Sequence, residues 1–216
     1  MPETKKLAYE SYLTGPANPA GQLPMIVLLH FMGSNPNQLI EFLFKDFDCP
    51  ARVIAPYGQY RYKEEYSWLP DSLYDESEKD QGKFIDEITG LLLENVESWR
   101  QEFATRGKPI YLGVSQGGDI CLMLASRYGD RYQLCLPIAG RLLVEDIIGK
   151  KNAGIVRIHH GVNDPIVPIA GAREAAKQLL AAGINVELRE YENTEHIVHQ
   201  AMRKAIHDDI RAIIGK

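Results

Sequence analysis

The chain has 216 residues, 45% of them hydrophobic and 25% charged, with 24 Lys and Arg against 29 Asp and Glu for a formal net charge of -5. A chain of this length suits one domain over residues 1–216, and it carries enough apolar residues to close a core without disulfide or metal staples. The acidic balance excludes a nucleic-acid partner or a basic membrane-surface protein, since no surplus of cations is available to neutralise phosphate or anionic lipid.

The opening M-P-E-T-K-K-L-A-Y-E lacks the apolar centre of a signal peptide. The longest apolar run, near Met25–Leu29, is far short of the roughly 20 residues that cross a bilayer. Three widely spaced cysteines, Cys49, Cys121 and Cys135, form an odd set and read as reduced thiols. The expectation is a soluble, cytoplasmic protein with no stable membrane insertion; a homodimer is compatible with the sequence but not specified by it.

In chain order, short apolar runs predict strands at Leu7–Leu13, Met25–His30, Arg52–Ala55, Ile110–Val114, Leu134–Ile138, Ile155–His160 and Val186–Tyr191. Most are followed by Gly, Pro or Asn, as strand ends are. Amphipathic segments predict helices near Asn37–Lys45, Gly82–Ala104, Gly117–Arg127, Ala170–Ala182 and Val198–Ile214. In the second, Phe84, Ile85, Ile88, Leu91, Leu92, Val96 and Trp99 recur at the three-and-four spacing of one buried face. Strand alternating with helix predicts α/β architecture, a mainly parallel central sheet with helices on both faces. Residues 57–81 show no period and read as a long loop. Its aromatics, Tyr66 and Trp68 among them, are candidates for a substrate-pocket wall, and the acidic run after Pro70 reads as a solvated face.

The chemistry-bearing segment is Y-L-G-V-S-Q-G-G-D, residues 111–119. Ser115 stands in G-x-S-x-G between a strand and a helix, where a tight turn exposes a serine hydroxyl above a helix N-terminus that favours negative charge. A serine hydroxyl needs a base, and the base an orienting acid. Asp164 follows the strand ending in I-H-H, and His196 follows the strand ending at Tyr191. The order serine, acid, histidine at successive strand ends is the order this fold requires. His199 is the rival base, three residues on. His159 and His160 with Asp164 invite a metal reading, but neighbours on a strand point to opposite faces and chelate poorly. His207, on the last helix, reads as solvated. The turn L-L-H-F-M-G-S-N-P offers a backbone N–H at Met32, or second at Phe31, to an oxyanion, with Gln116 supplying the other. No dinucleotide or phosphate-loop motif is present, so no cofactor and no metal are expected.

These segments together resemble the phospholipase/carboxylesterase family of α/β-hydrolases, which includes acyl-protein thioesterases. The resemblance runs from about Pro24 to the end of the chain. It rests on L-H-x-x-G, on P-Y-G through Y-S-W (Pro56 to Trp68), on G-V-S-Q-G-G, P-I-A-G-R and H-G-V-N-D-P-I-V-P, and on the Y-x-x-x-x-H ending. It implies Ser115 as nucleophile, Asp164 as orienting acid, His196 as base, and oxyanion donors at Met32 and Gln116. Three residues depart from the family pattern: Phe31 in place of a usual Gly, Glu195 in place of a frequent Gly, and Ala139 in place of a usual Ser.

The expected function is a serine carboxylesterase acting on a small-molecule ester with a short-to-medium acyl group. Too few residues separate Ile138 from Ile155 for a large cap domain, which leaves the site open. Phe31, Tyr66 and Trp68 are the pocket candidates. An acyl-thioesterase or lysophospholipase would use the same triad. A non-catalytic ligand-binding protein is the alternative of another class, kept open by Phe31 and Glu195. With a histidine base, activity is expected to rise as an imidazole loses its proton, which ordinarily happens near pH 6.5.

Overall fold

The structure is a computed structural model that describes residues 5–16, 21–144, 146–149 and 154–215. Among these described residues nine strands form in chain order: β1 (Tyr9–Thr14), β2 (Pro24–Leu29), β3 (Ala51–Pro56), β4 (Tyr60–Tyr62), β5 (Glu65–Ser67), β6 (Arg106–Val114), β7 (Leu134–Ile138), β8 (Ile155–Gly161) and β9 (Val186–Tyr191). The same residues also form the helices α1 (Pro36–Phe44), α2 (Glu78–Glu102), α3 (Gln116–Arg127), α4 (Ile169–Ala181) and α5 (Gln200–Ile214). Seven strands make one sheet in the order β1-β3-β2-β6-β7-β8-β9. β1 pairs antiparallel with β3, and every other pairing in that sheet is parallel.

The central strands are buried on both faces, and their alternation assigns each side chain to one of two cores. Met25, Val27 and Leu29 of β2 and Tyr111 of β6 face a core built with α2, α3 and α4. Ile26 and Leu28 of β2 and Ile110, Leu112 and Val114 of β6 face the other, closed by α1 and α5. This is the α/β-hydrolase arrangement expected from the sequence, without a large cap domain. Only residues 139–154 join β7 to β8, and those described carry neither helix nor strand.

Several boundaries moved for local reasons. α2 starts at Glu78, four residues before the expected Gly82, because the Ser77 side chain accepts the Asp80 N–H and caps the helix. α5 starts at Gln200 rather than Val198, because His199 Nδ1 accepts the N–H groups of Ala201 and Met202. The expected structureless loop over 57–81 is corrected. It folds as a hairpin, β4 pairing antiparallel with β5, followed by a 3-10 turn at Asp71–Asp75 and the first turn of α2. Three-residue strands fall below the length at which alternation can be read.

Candidate active site

Two loops straddle the point where the chain's course through the sheet reverses. From β2 the chain moves outward to β3, then crosses back to β6 on the other side of β2. The ends of β2 and β6 therefore open a crevice at the carboxyl edge, where sheets of this kind present ligand sites. Met32 follows β2 and Ser115 follows β6.

Ser115 sits at φ 54°, ψ -112°, a conformation that costs energy for any residue with a side chain. Packing imposes it. The Ser115 N–H donates to the Ile138 carbonyl at 2.9 Å and ties the turn to β7. A Cβ on Gly113 would lie 2.0 Å from the Gly117 carbonyl oxygen, and one on Gly117 would lie 2.2 Å from that of Leu29. Only glycine at both positions lets α3 rise this steeply from the sheet.

The three side chains read from the sequence converge. His196 Nδ1 lies 2.7 Å from Asp164 Oδ2, and His196 Nε2 lies 3.0 Å from Ser115 Oγ. An ionised carboxylate only accepts, so Nδ1 carries the proton, and Nε2 is left to accept from the serine hydroxyl. The Asp164 side chain is fully buried, and its Oδ1 accepts the N–H groups of Ile166 and Val167 at 2.9 Å each. The carboxylate is thus satisfied on both oxygens while out of water.

The other histidines are accounted for. His199 caps α5 and meets the Tyr191 ring edge-on, 5.1 Å between centroids. His160 Nε2 donates to the Val167 carbonyl at 2.8 Å and helps fix the Asp164 loop. His159 Nδ1 is 2.7 Å from the Tyr191 hydroxyl. Among the described residues no three His, Cys, Asp or Glu side chains are placed to share a metal ion. His207 corrects its expectation: it is buried at 7% exposure rather than solvated, donates to the Leu43 carbonyl at 2.6 Å, and packs on Phe44 and Phe47.

Met32 lines the crevice beside Ser115. Gln116 is the first residue of α3, and a first-turn N–H has no partner within its own helix. Phe31 does not take the left-handed conformation that a glycine there would permit; that geometry falls on Gly33, at φ 71°. Glu195, the second departure, is exposed, and its side chain has no hydrogen bond or ion pair among the described residues. Ala139 accepts the left-handed region at φ 49°, and its N–H donates to the His159 carbonyl.

A groove of about 610 Å³ opens from Ser115 and His196 toward α1. Its walls are mostly apolar, with Phe31, Leu39, Phe42, Val114, Ile166 and Ile197 outweighing the polar Ser34 and Gln38. Four of them stand well into solvent, Phe31 at 39%, Phe42 at 46%, Ile166 at 68% and Ile197 at 58% exposure. Tyr66 and Trp68 are not in this wall, which corrects their expected place. Trp68 is fully buried, and Tyr66 meets the Tyr57 ring edge-on while its backbone bonds Gly33 and Ser34. A depression of similar size, about 630 Å³, lies between α2, Arg127, residues 142–144 and Asp146 and holds none of the three converging side chains.

Sequence reasoning missed two contributors. The side chain of Gln116 accepts the Trp68 N–H at 3.0 Å and also bonds Ser67 Oγ and the Tyr74 hydroxyl. His30 is buried, accepting the Gly58 N–H on Nε2 at 2.9 Å and donating from Nδ1 to the Phe31 carbonyl at 2.8 Å. Burial pushes its imidazole down to about 4. A polar residue closing an all-apolar strand was the available signal.

The model of the family described as phospholipase/carboxylesterase matches residues 15–214. Among solved structures, the chain is similar to an esterase called PE8, with a TM-score of 0.81 and 21% identity over 97% of this chain and 100% of that one. The Bacillus cereus carboxylesterase gives 0.77 and 19% over 95% and 94%. Acyl-protein thioesterase 2 of Zea mays gives 0.64 and 16% over 94% and 98%. No curated protein matches the chain significantly.

Proposed function

The chain belongs to the phospholipase/carboxylesterase family, an esterase-type hydrolase group, and from that premise we propose that it is a serine carboxylesterase cleaving esters of short-to-medium acyl groups. The observation that carries this is the unbroken line Ser115 Oγ, His196 Nε2, His196 Nδ1, Asp164 Oδ2, with links of 3.0 and 2.7 Å, on a strained serine turn.

In this reading Ser115 Oγ attacks the ester carbonyl while its proton passes to His196 Nε2. Asp164 keeps the imidazole in the accepting tautomer and stabilises the imidazolium. The tetrahedral oxyanion is held by the N–H groups of Met32 and Gln116, each such donor being typically worth about 3 kcal/mol in the transition state. His196 gives the proton to the leaving alcohol, and an acyl group remains on Ser115 Oγ. Water then attacks with His196 again as base, and the carboxylic acid leaves.

The apolar groove supports a substrate with an aliphatic arm. At roughly 0.8 kcal/mol per buried methylene, several carbons fitted there outweigh what a polar group would gain on the same walls. Its open mouth and exposed rim favour short or medium chains over a deeply enclosed lipid. The same triad would serve an acyl thioester or a lysophospholipid.

The test is intact-mass analysis after fluorophosphonate treatment of wild type and Ser115→Ala, paired with turnover of p-nitrophenyl esters, acyl thioesters and lysophospholipids. One adduct and ester turnover on the wild type, both lost in the variant, are expected. A folded wild type that takes no adduct would leave the chain a ligand-binding protein on a hydrolase fold.

A further inference from the structure

Trp68 touches both halves of the proposed oxyanion site without reaching the groove. Its indole N–H donates to the His30 carbonyl at 3.0 Å, and its backbone N–H donates to Gln116 Oε1 at 3.0 Å. Its ring stacks on the His30 imidazole, 5.1 Å between centroids and 28° between planes. His30 in turn holds the Phe31 carbonyl through Nδ1–H. The peptides are trans, so the carbonyl of residue 31 and the N–H of Met32 lie in one plane and point in opposite directions. Fixing the carbonyl toward buried His30 turns the Met32 N–H the other way. Gln116, the second leg, carries the second donor on its own backbone.

We infer that Trp68 is a positioning residue, a buried strut that sets the separation of the two oxyanion donors by bonding His30 on one side and Gln116 on the other. The inference rests on the oxyanion assignment proposed above. Its physical content is rigidity. Ser67, Trp68 and Leu69 are all within 1% of complete burial, and Ser67 Oγ donates to the Leu69 carbonyl while accepting its N–H. A strut anchored in such a segment cannot yield as negative charge develops on the substrate oxygen. Donors fixed before the reaction need no reorganisation at the transition state. The hairpin adds a further tie, because the Gly33 N–H donates to the Tyr66 carbonyl at 2.8 Å, one residue beyond Met32.

Trp68→Phe keeps a ring on His30 but removes the indole N–H. Competent sites are counted by phosphonate titration, so a partly unfolded sample does not distort the rate per site. The expected result is a fall of about tenfold or more in kcat per titrated site with KM within about twofold, as misplaced donors produce. Inhibition by a trifluoromethyl ketone, which forms a tetrahedral oxyanion, should weaken by the same factor. A lower melting temperature with kcat per site changed less than about threefold overturns the strut. If Trp68→Phe does not fold, Gln116→Met, which breaks the amide leg together with the amide's bonds to Ser67 and Tyr74 but keeps the backbone N–H, is read by the same criteria. A wild type without Ser115-dependent turnover would instead overturn the functional reading, and the strut with it.

Discussion

Asp164 and His196 meet at 2.7 Å, with the aspartate fully buried and the histidine side chain 23% exposed. The loop's own N–H groups, from Ile166 and Val167, are taken by Asp164 Oδ1, which leaves Oδ2 to face the imidazole and fix its orientation.

Asp164→Asn tests that relationship. The amide oxygen can still accept from Ile166 and Val167, which preserves the loop, but its NH2 then faces Nδ1 and forces the proton onto Nε2. A histidine in that tautomer cannot accept from Ser115. kcat should fall by about 10⁴-fold with KM little changed, measured on a p-nitrophenyl ester at neutral pH. A loss below tenfold would remove Asp164 from the triad.

His199 separates packing from chemistry. As the side-chain cap of α5 it satisfies two N–H groups, and losing such a cap costs about 1 kcal/mol. His199→Ala should lower the urea midpoint accordingly while kcat stays within about twofold. A large loss of kcat in a folded protein would return it to the list of candidate bases.

Phe42 is the groove's outlying aromatic on α1, 46% exposed. Where an added methylene reaches that wall, kcat/KM should rise about fourfold, the equivalent of roughly 0.8 kcal/mol. Phe42→Ala should flatten the rise of kcat/KM along a p-nitrophenyl ester series from acetate to octanoate, with acetate itself little affected. An unchanged slope would place the acyl group elsewhere.

Acid should weaken the fold before the carboxylates titrate. Burial holds His30 down at about 4 and lowers His159 and His207 as well. In the unfolded chain a histidine titrates near 6.5, so between that pH and about 4 the unfolded state binds protons that the folded state refuses. Stability contributed by this difference is present above about pH 6.5 and is lost as pH falls toward 4. His30 alone accounts for about 2–3 kcal/mol between pH 7 and 4.5. Urea unfolding at about pH 7, 5.5 and 4.5 reads this directly, and a flat unfolding free energy over that range would contradict neutral, buried imidazoles.

Sequence alone determined the strand–helix alternation, the serine turn, and the order of Ser115, Asp164 and His196. Each of these is written locally. A strand of five or more residues shows its burial, a serine between glycines shows its turn, and strand ends mark the carboxyl edge of a parallel sheet. Tertiary structure decided which histidine meets the serine, because residues 115 and 196 become neighbours only once β6 and β9 take their places in one sheet. It also moved Trp68 from an expected pocket wall into a buried segment bonded to His30 and Gln116, and gave the groove to Phe42, Ile166 and Ile197. An aromatic residue reads alike in sequence whether it faces solvent, substrate or core. The partners that decide its role, His30 and Gln116 for Trp68, lie 38 and 48 residues away, and only the closed sheet brings them together.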